Sequence, residues 1–362
     1  VTEMPGVRIL ADDLTGALDS AAAFATPLSP LPVLWRAEHG LPAMAAIDAA
    51  TREVDVDTAV ARQGRFTDWL LAGEPAFKKI DSLMRGNWAA ELGALAVMAE
   101  GRRLVVAPAF PFQGRVTRDG RQWKTDAAEP LGGAIHAALR DAGLIHADIG
   151  VHDAESDADL DAIVTREMSG HRPRLWVGTG GLAAALARAR PAPAVPASAP
   201  TGSPRHDAPL LALIGSNHPV TRTQIERAMA PDPRRHVRLS ASPSDIDRVL
   251  ERLARGQSCI VTVAFEGPRA DAALVIAERF SGLLARCPSP CTLFVAGGET
   301  LRDVADAIGA DSLAVEGARE PGLAMSRLRA GRFDGARVLS KSGAFGRPDL
   351  LHELFEEASS GR

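Results

Sequence analysis

Arg8-Ile-Leu-Ala-Asp-Asp-Leu-Thr-Gly-Ala-Leu-Asp19 is the stretch that decides the fold. An apolar run over residues 7–11 stops at two adjacent carboxylates, Asp12 and Asp13, and Thr15 and Gly16 then open a small-residue helix over residues 17–25. Strand, acidic turn and helix in that order predict an α/β fold, in which ligands bind beyond the carboxyl ends of the strands. Neighbouring carboxylates repel unless a cation, a hydroxyl or an Arg or Lys side chain shares their site. Asp12 and Asp13, with Thr15 beside them, are therefore candidates for acid/base work or for contact with a substrate. The plainer alternative is that Asp13 or Thr15 only caps the helix.

The same alternation continues on both sides of this stretch. Strands are expected near residues 7–11, 32–35, 45–49, 76–80, 104–107, 150–152 and 175–178, with helical patterns between most of them. A second series follows near 210–214, 236–239, 259–263, 293–296, 313–315 and 338–340, with helices over 221–229, 245–255, 271–284 and 301–308. Between the two series, residues 190–204 hold five prolines and almost no bulky apolar side chain, the composition of a semi-rigid linker. The chain of 362 residues is long enough for two cores. Two domains are expected, 1–189 and 209–362, joined by a linker at 190–208. Each would carry a largely parallel sheet flanked by helices, with the active site in the cleft between them.

Composition narrows the function. A formal net charge of -4 leaves no electrostatic footprint for nucleic acid, and no apolar run approaches the length of a membrane span. The start of the chain shows no basic segment followed by an apolar one, and the three cysteines (Cys259, Cys287, Cys291) are an odd number. Both features point to the cytoplasm. Of 41 basic side chains only four are lysines: Lys78, Lys79, Lys124 and Lys341. A compact ammonium does a different job from a planar guanidinium, so each lysine is worth inspecting.

Two further groups in the first half carry chemistry. In Phe77-Lys-Lys-Ile-Asp-Ser-Leu-Met-Arg-Gly-Asn87 a strand ends at Ile80, and Asp81, Ser82 and Arg85 crowd into the turn that follows. Arg85 can grip a carboxylate with two hydrogen bonds, Asp81 and Ser82 can take sugar-type hydroxyls, and Lys79 can neutralise charge beside them. The alternative is a helix capped by Asp81 or Ser82 next to a surface lysine pair. The run from Ala107 to Arg121 reads as a loop too long for a simple connection, with Gly114, Arg115 and Thr117 as polar contacts. Asp153 is a weaker candidate. Gly178-Thr-Gly-Gly-Leu-Ala183 matches a dinucleotide-binding spacing, but the acidic residue expected about 20 positions later falls in the proline run, so a nicotinamide site is rejected. A helix N-terminus able to offer amides to an anion is expected there instead.

In the second half three strand ends carry glycines and hydroxyls: Gly215-Ser-Asn-His218, Gly297-Gly-Glu-Thr300 and Lys341-Ser-Gly-Ala-Phe-Gly346. Backbone amides at such turns cradle phosphates, glycine lets the main chain approach closely, and Lys341 adds a positive charge. Ser216, His218, Gly297, Gly298, Glu299, Thr300, Lys341, Gly343 and Gly346 are therefore expected at a nucleotide site, although no P-loop is present. Each turn alone is more often structural.

Taken together, these segments resemble the four-carbon acid sugar kinase family. The matching runs are Ala11-Asp-Asp-Leu-Thr-Gly-Ala17, Lys78-Lys-Ile-Asp-Ser82, Arg85-Gly86, Ala107-Pro-Ala-Phe-Pro111 with Gly114-Arg115, Gly180-Gly-Leu-Ala183, Gly215-Ser216 with Thr221 and Gln224, Gly297-Gly-Glu-Thr300, Pro321-Gly322 and Lys341-Ser-Gly343 with Phe345-Gly346. Two positions depart from the family pattern: Leu83 stands where a threonine is usual and His218 where a serine or similar small residue is usual. The resemblance implies an N-terminal sugar-acid-binding domain and a C-terminal nucleotide-binding domain. It also implies ATP-dependent phosphorylation of the terminal hydroxyl of a threonate, an erythronate or a 3-oxo-tetronate, with Mg²⁺ as cofactor. Asp12, Asp13 and Asp81 would be the catalytic carboxylates, and Thr15, Lys79, Ser82, Arg85, Gly114 and Arg115 the substrate contacts. Expected partners are the small-molecule acid and ATP, with neither nucleic acid nor membrane; self-association into a homo-oligomer is compatible with the chain. The competing reading is a non-catalytic sugar-acid or nucleotide sensor on the same fold.

Overall fold

An unbroken apolar run makes a strand only where both its faces are covered. Ile9, Leu10 and Ala11 meet that condition, each fully buried, in β1 (Arg8–Ala11). The computed structural model describes residues 6–36, 40–145, 147–190, 209–265, 267, 271–288 and 292–360. Two units are distinguished, Val1–Ala197 and Ser198–Arg362. Most of the proline run expected as a linker, and Cys291, lie outside the described residues.

In the first unit β1 is followed by β2 (Leu31–Leu34), β3 (Ala45–Asp48), β4 (Ala76–Lys79), β5 (Arg103–Ala107), β6 (Arg115–Arg118), β7 (Arg121–Lys124), β8 (Ile149–Val151) and β9 (Arg174–Gly178). The helices are α1 (Leu14–Phe24), α2 (Val56–Gly64), α3 (Thr67–Leu71), α4 (Trp88–Met98), α5 (Ile135–Asp141), α6 (Asp157–Met168) and α7 (Gly180–Ala189). Seven strands pair in the order β2-β3-β1-β4-β9-β5-β8, all parallel. Helices α1, α6 and α7 pack together, as do α2 to α5. Leu10, Ile47, Leu92, Leu104 and Val177 belong to one buried apolar cluster. From β1 the chain steps outward to β2, returns to β3, and then crosses to β4 on the other side of β1. The strand order thus reverses between β1 and β4, where open α/β sheets form a crevice.

The second unit contains β10 (Leu210–Ile214), β11 (His236–Leu239), β12 (Cys259–Val263), β13 (Thr292–Ala296), β14 (Ser312–Glu320), β15 (Leu323–Arg329) and β16 (Arg337–Lys341). Its helices are α8 (Pro219–Met229), α9 (Pro243–Ala254), α10 (Ala272–Arg286), α11 (Gly298–Ala307) and α12 (Leu350–Ser360). The order is β11-β12-β10-β13-β16-β15-β14, parallel as far as β16 and antiparallel beyond it. Strands β10 to β13 repeat the winding of β1 to β4, so a second reversal lies between β10 and β13.

Every expected strand is present, and two features differ from expectation. The segment after β5 is no irregular loop: β6 and β7 form an antiparallel hairpin around Asp119 (φ 50°) and Gly120 (φ 65°). Two successive left-handed residues make the turn that suits strand twist, and Asp-Gly is its usual sequence. The short strand expected near 313–315 is the nine-residue β14, which pairs with an unexpected β15 across Pro321 and Gly322. No helix among the described residues is long and apolar enough to cross a membrane. Cys259 and Cys287 are buried free thiols.

Candidate functional site

At the first reversal the loops after β1, β3 and β4 meet. Asp13 is the N-cap of α1, accepting from the Gly16 amide at 2.9 Å, while its second oxygen accepts from Thr15 Oγ1 at 2.6 Å. The capping alternative is thus realised, but Asp13 has a further partner. Arg52, in the turn after β3, donates through Nε and Nη2 to the two oxygens of Asp12, both at 2.8 Å, and through Nη2 to Asp13 at 2.7 Å. The same nitrogen stands 3.8 Å from Asp81. The amides of Thr51 and Arg52 donate to the Asp12 carbonyl, fixing this turn against the end of β1. Gly86 (φ 77°) allows the third loop to close in, since a Cβ there would lie 3.1 Å from the Arg52 carbonyl oxygen.

Asp81 and Ser82 do not cap α4, whose N-cap is Asn87. Asp81 is instead gripped by Arg85, through Nε at 2.6 Å and Nη2 at 3.1 Å. Burial opposes its ionisation, but the Arg85 hydrogen bond and the charges of Arg52, Arg85 and Lys79 prevail and hold its pKa at about 2. Burial raises the pKa of Asp12 despite Arg52. At Asp13 burial acts the same way, but Arg52, Lys79, Thr15 and the Gly16 amide outweigh it, and the pKa is lowered. Two adjacent carboxylates are thus driven apart, a pattern typical of acid/base sites.

The lysine pair is not on the surface. Successive strand residues face opposite sides, so Lys78 turns toward α4, where it pairs with Glu91 at 2.7 Å. Lys79, also buried, donates to the Ile80 carbonyl at 2.8 Å and stands against Gly16, where a Cβ would lie 2.8 Å from Nζ. Lys79 therefore belongs to the carboxylate cluster and Lys78 to the core. Gly114 adopts a left-handed conformation (φ 66°), and Arg115 donates to the Gln113 carbonyl; burial lowers the Arg115 pKa against the pull of Asp81. Asp153 accepts from the Gly120 amide, away from this cluster. At the start of α7 the carboxylate of Asp19 lies against Gly180, and the Gly181 amide donates to Thr179 Oγ1 at 3.3 Å.

Sequence reading missed Arg52 and Gln122. The buried Gln122, on β7, donates to the carbonyls of Ser82 (3.1 Å) and Pro108 (2.9 Å) and accepts from Thr117 Oγ1 (2.8 Å). It ties the hairpin to two strand ends.

At the second reversal a cavity of about 890 Å³ is lined by Ser216, His218, Thr262, Phe265, Glu299 and Thr300, among others. Its apolar wall includes Val263, Phe265 and Ile276, and the N-termini of α8 and α11 border it. His218 caps α8, its Nδ1 accepting from the Val220 amide at 3.3 Å. The loops lie close together: a Cβ on Gly343 would collide with Ser216 Oγ, and one on Gly215 with Thr300 Oγ1. Gly297 (φ 118°) donates its amide to the Lys341 carbonyl. Lys341 itself lies beneath the loop, 1% exposed, donating to Thr221 Oγ1 at 3.0 Å and the Ser342 carbonyl at 3.2 Å. Gly346 packs against Leu350 and Gln224. A cavity of this size, two helix N-termini, glycine-permitted close approach and a buried cation fit a nucleoside phosphate. Among the described residues no cluster of three or more His, Cys, Asp or Glu side chains is placed to hold a metal. A magnesium ion carried on phosphate oxygens needs few protein ligands.

Fold and sites define a two-part protein with a carboxylate–guanidinium cluster in one unit and a nucleotide-sized cavity in the other. Residues 7–134 match the family model of a sugar-binding N-terminal domain, and residues 211–351 that of a nucleotide-binding C-terminal domain. The chain belongs to the four-carbon acid sugar kinase family. It is 29% identical to a D-threonate kinase of Cupriavidus necator, with 98% of each chain covered, and 26% identical to a D-threonate kinase of Bordetella bronchiseptica, with 96% of each covered. A solved structure from Salmonella typhimurium shares the fold at 20% identity (TM-score 0.74, 99% of this chain and 100% of that one).

Proposed function

We propose that the protein is an ATP-dependent kinase that phosphorylates the terminal hydroxyl of a four-carbon sugar acid, with D-threonate, the substrate named for its relatives, as the first candidate. In this reading residues 1–189 bind the acid, 209–362 bind the nucleotide, and 190–208 link them. The observation that carries it is the occurrence, at equivalent strand reversals, of the Asp12–Asp13–Asp81 cluster and of a cavity bordered by Ser216, against which lies a loop that covers a buried lysine.

Bound Mg–ATP supplies the phosphoryl group. Arg85, with Lys79 and Arg115 near it, draws in the substrate carboxylate, and Ser82 and Thr15 offer hydroxyl contacts. Asp12 and Asp81 are each held by an arginine with two hydrogen bonds, and are 4% and 8% exposed at their side chains. Asp13 is 21% exposed and is the carboxylate best placed to accept the proton of the attacking hydroxyl. In phosphoryl transfer such a group works chiefly by orienting the nucleophile. Ser216, the amides at 297–300 and Gly343 hold the phosphates, and closure around them excludes water.

The test is ADP release from Mg–ATP across both threonates, both erythronates and their 3-oxo forms. Turnover with one acid establishes the reaction and names the substrate. Ligand binding without turnover on any of them selects the sensor reading instead.

A further inference from the structure

Lys341 is a buried cation without an anion. Its side chain is 1% exposed, its two hydrogen-bond partners are neutral, and no carboxylate among the described residues is within ion-pair reach. An isolated ammonium in such surroundings is costly, and removing its proton relieves the cost. Burial accordingly lowers its pKa to about 7. Its partners connect it to the loop that lies against Ser216 at the cavity. Thr221, on the first turn of α8, donates to the Gly343 carbonyl at 2.7 Å, and Gly343 lies against Ser216.

We propose that Lys341 is the remote counter-charge of the nucleotide phosphates: it acts through Thr221 and the loop 342–346 rather than by contact, and takes up a proton when the nucleotide binds. The inference rests on the kinase reading and adds to it a linkage between nucleotide affinity and pH. The residues paired with Lys341 on β13 and β15 are Ala296 and Leu323, neither ionisable. The ionisable groups on the other surrounding elements are His218, Arg222, Glu226 and Arg227 at α8, Glu299, Arg302, Asp303 and Asp306 on α11, and Arg347 with its partners Glu320 and Glu353 beyond the loop. None of them shifts Lys341; burial alone does. A phosphate held at Ser216 and Gly343, nearer than these carboxylates, would be the first anion to bear on it. In this role Lys341 is a positioning residue.

The experiment is calorimetry of MgADP binding at pH 6 and pH 8 in buffers of different ionisation enthalpy, on the full chain and on Lys341→Met. With a pKa near 7 in the free protein, the wild type takes up about one proton at pH 8 and about none at pH 6, and its Kd rises about tenfold between them. Lys341→Met abolishes the uptake at pH 8 and weakens binding at pH 6. Its melting temperature is unchanged or higher, because an unpaired buried charge has been replaced by an apolar side chain of similar shape. A lysine that only braced the fold would lower the melting temperature and leave proton uptake untouched. Equal uptake in both proteins, or a wild-type Kd that is flat with pH, overturns the proposal. Failure of the wild type to bind MgADP at either pH overturns the kinase reading beneath it as well, so the two failures are distinguishable.

Discussion

The Arg52 guanidinium spans Asp12 and Asp13, with two hydrogen bonds of 2.8 Å to the first and one of 2.7 Å to the second. A planar fork makes all three contacts at once; an ammonium cannot. Arg52→Ala leaves the buried Asp12 and the partly exposed Asp13 without their main partner and is expected to destabilise the protein by about 3–5 kcal/mol, read by urea unfolding. Arg52→Lys should retain part of that stability and still lose at least tenfold in kcat/KM, because the carboxylates are no longer fixed. Activity equal to wild type in Arg52→Lys would remove this arginine from the site.

Asp81 makes stability depend on acid. Its pKa of about 2 lies below the ordinary 3.8, so the stabilisation is complete above pH 4 and is lost as pH falls through the folded value. The shift corresponds to about 2 kcal/mol. Unfolding free energies measured from pH 5 to pH 2 should fall more steeply for the wild type than for Asp81→Asn, which starts lower and changes less.

The pair Lys78–Glu91 provides the control that separates folding from chemistry. Both side chains are no more than 1% exposed and meet at 2.7 Å. Lys78→Met alone strands Glu91 and should cost about 3–5 kcal/mol, whereas Lys78→Met with Glu91→Leu should recover most of it. The double variant should keep the wild-type KM for the acid. A large rise in that KM would place Lys78 in the site after all.

Gly343 tests the second unit. A methyl group there collides with Ser216 Oγ and is 2.8 Å from its Cβ. Gly343→Ala should weaken MgADP binding at least tenfold with little change in melting temperature, since the clash is at a loop rather than in the core. Affinity for the sugar acid should not move.

The strand–acid–helix order at Asp12 and Asp13 was readable because local signals determine it: an apolar run, a cap and a small-residue helix. The same holds for the glycine turns at 215, 297 and 343. Arg52 was not readable. It is one of many arginines, four positions past the end of β3, in a turn with no glycine or proline to mark it. Its importance follows from sheet order, which places β3 next to β1. Gln122 is hidden for a similar reason: the proline- and glycine-rich run over 107–121 reads as loop, and the Asp119-Gly120 turn signal does not tell what the hairpin packs against. Burial of Lys78 and Lys79 was also out of reach, since strand alternation shows that they face opposite ways but not what waits on either side.

The winding shared by β1 to β4 and β10 to β13 separates what folds the chain from what addresses its ligands. The strands and their covering helices carry the cores, while the contacts proposed for each ligand sit in loops that begin where strands stop. Substrate preference can therefore drift, or be redesigned, by exchanging a few residues after β1, β3 and β4. The loops proposed to hold phosphate in the second unit, and the cores of both units, need not change with it.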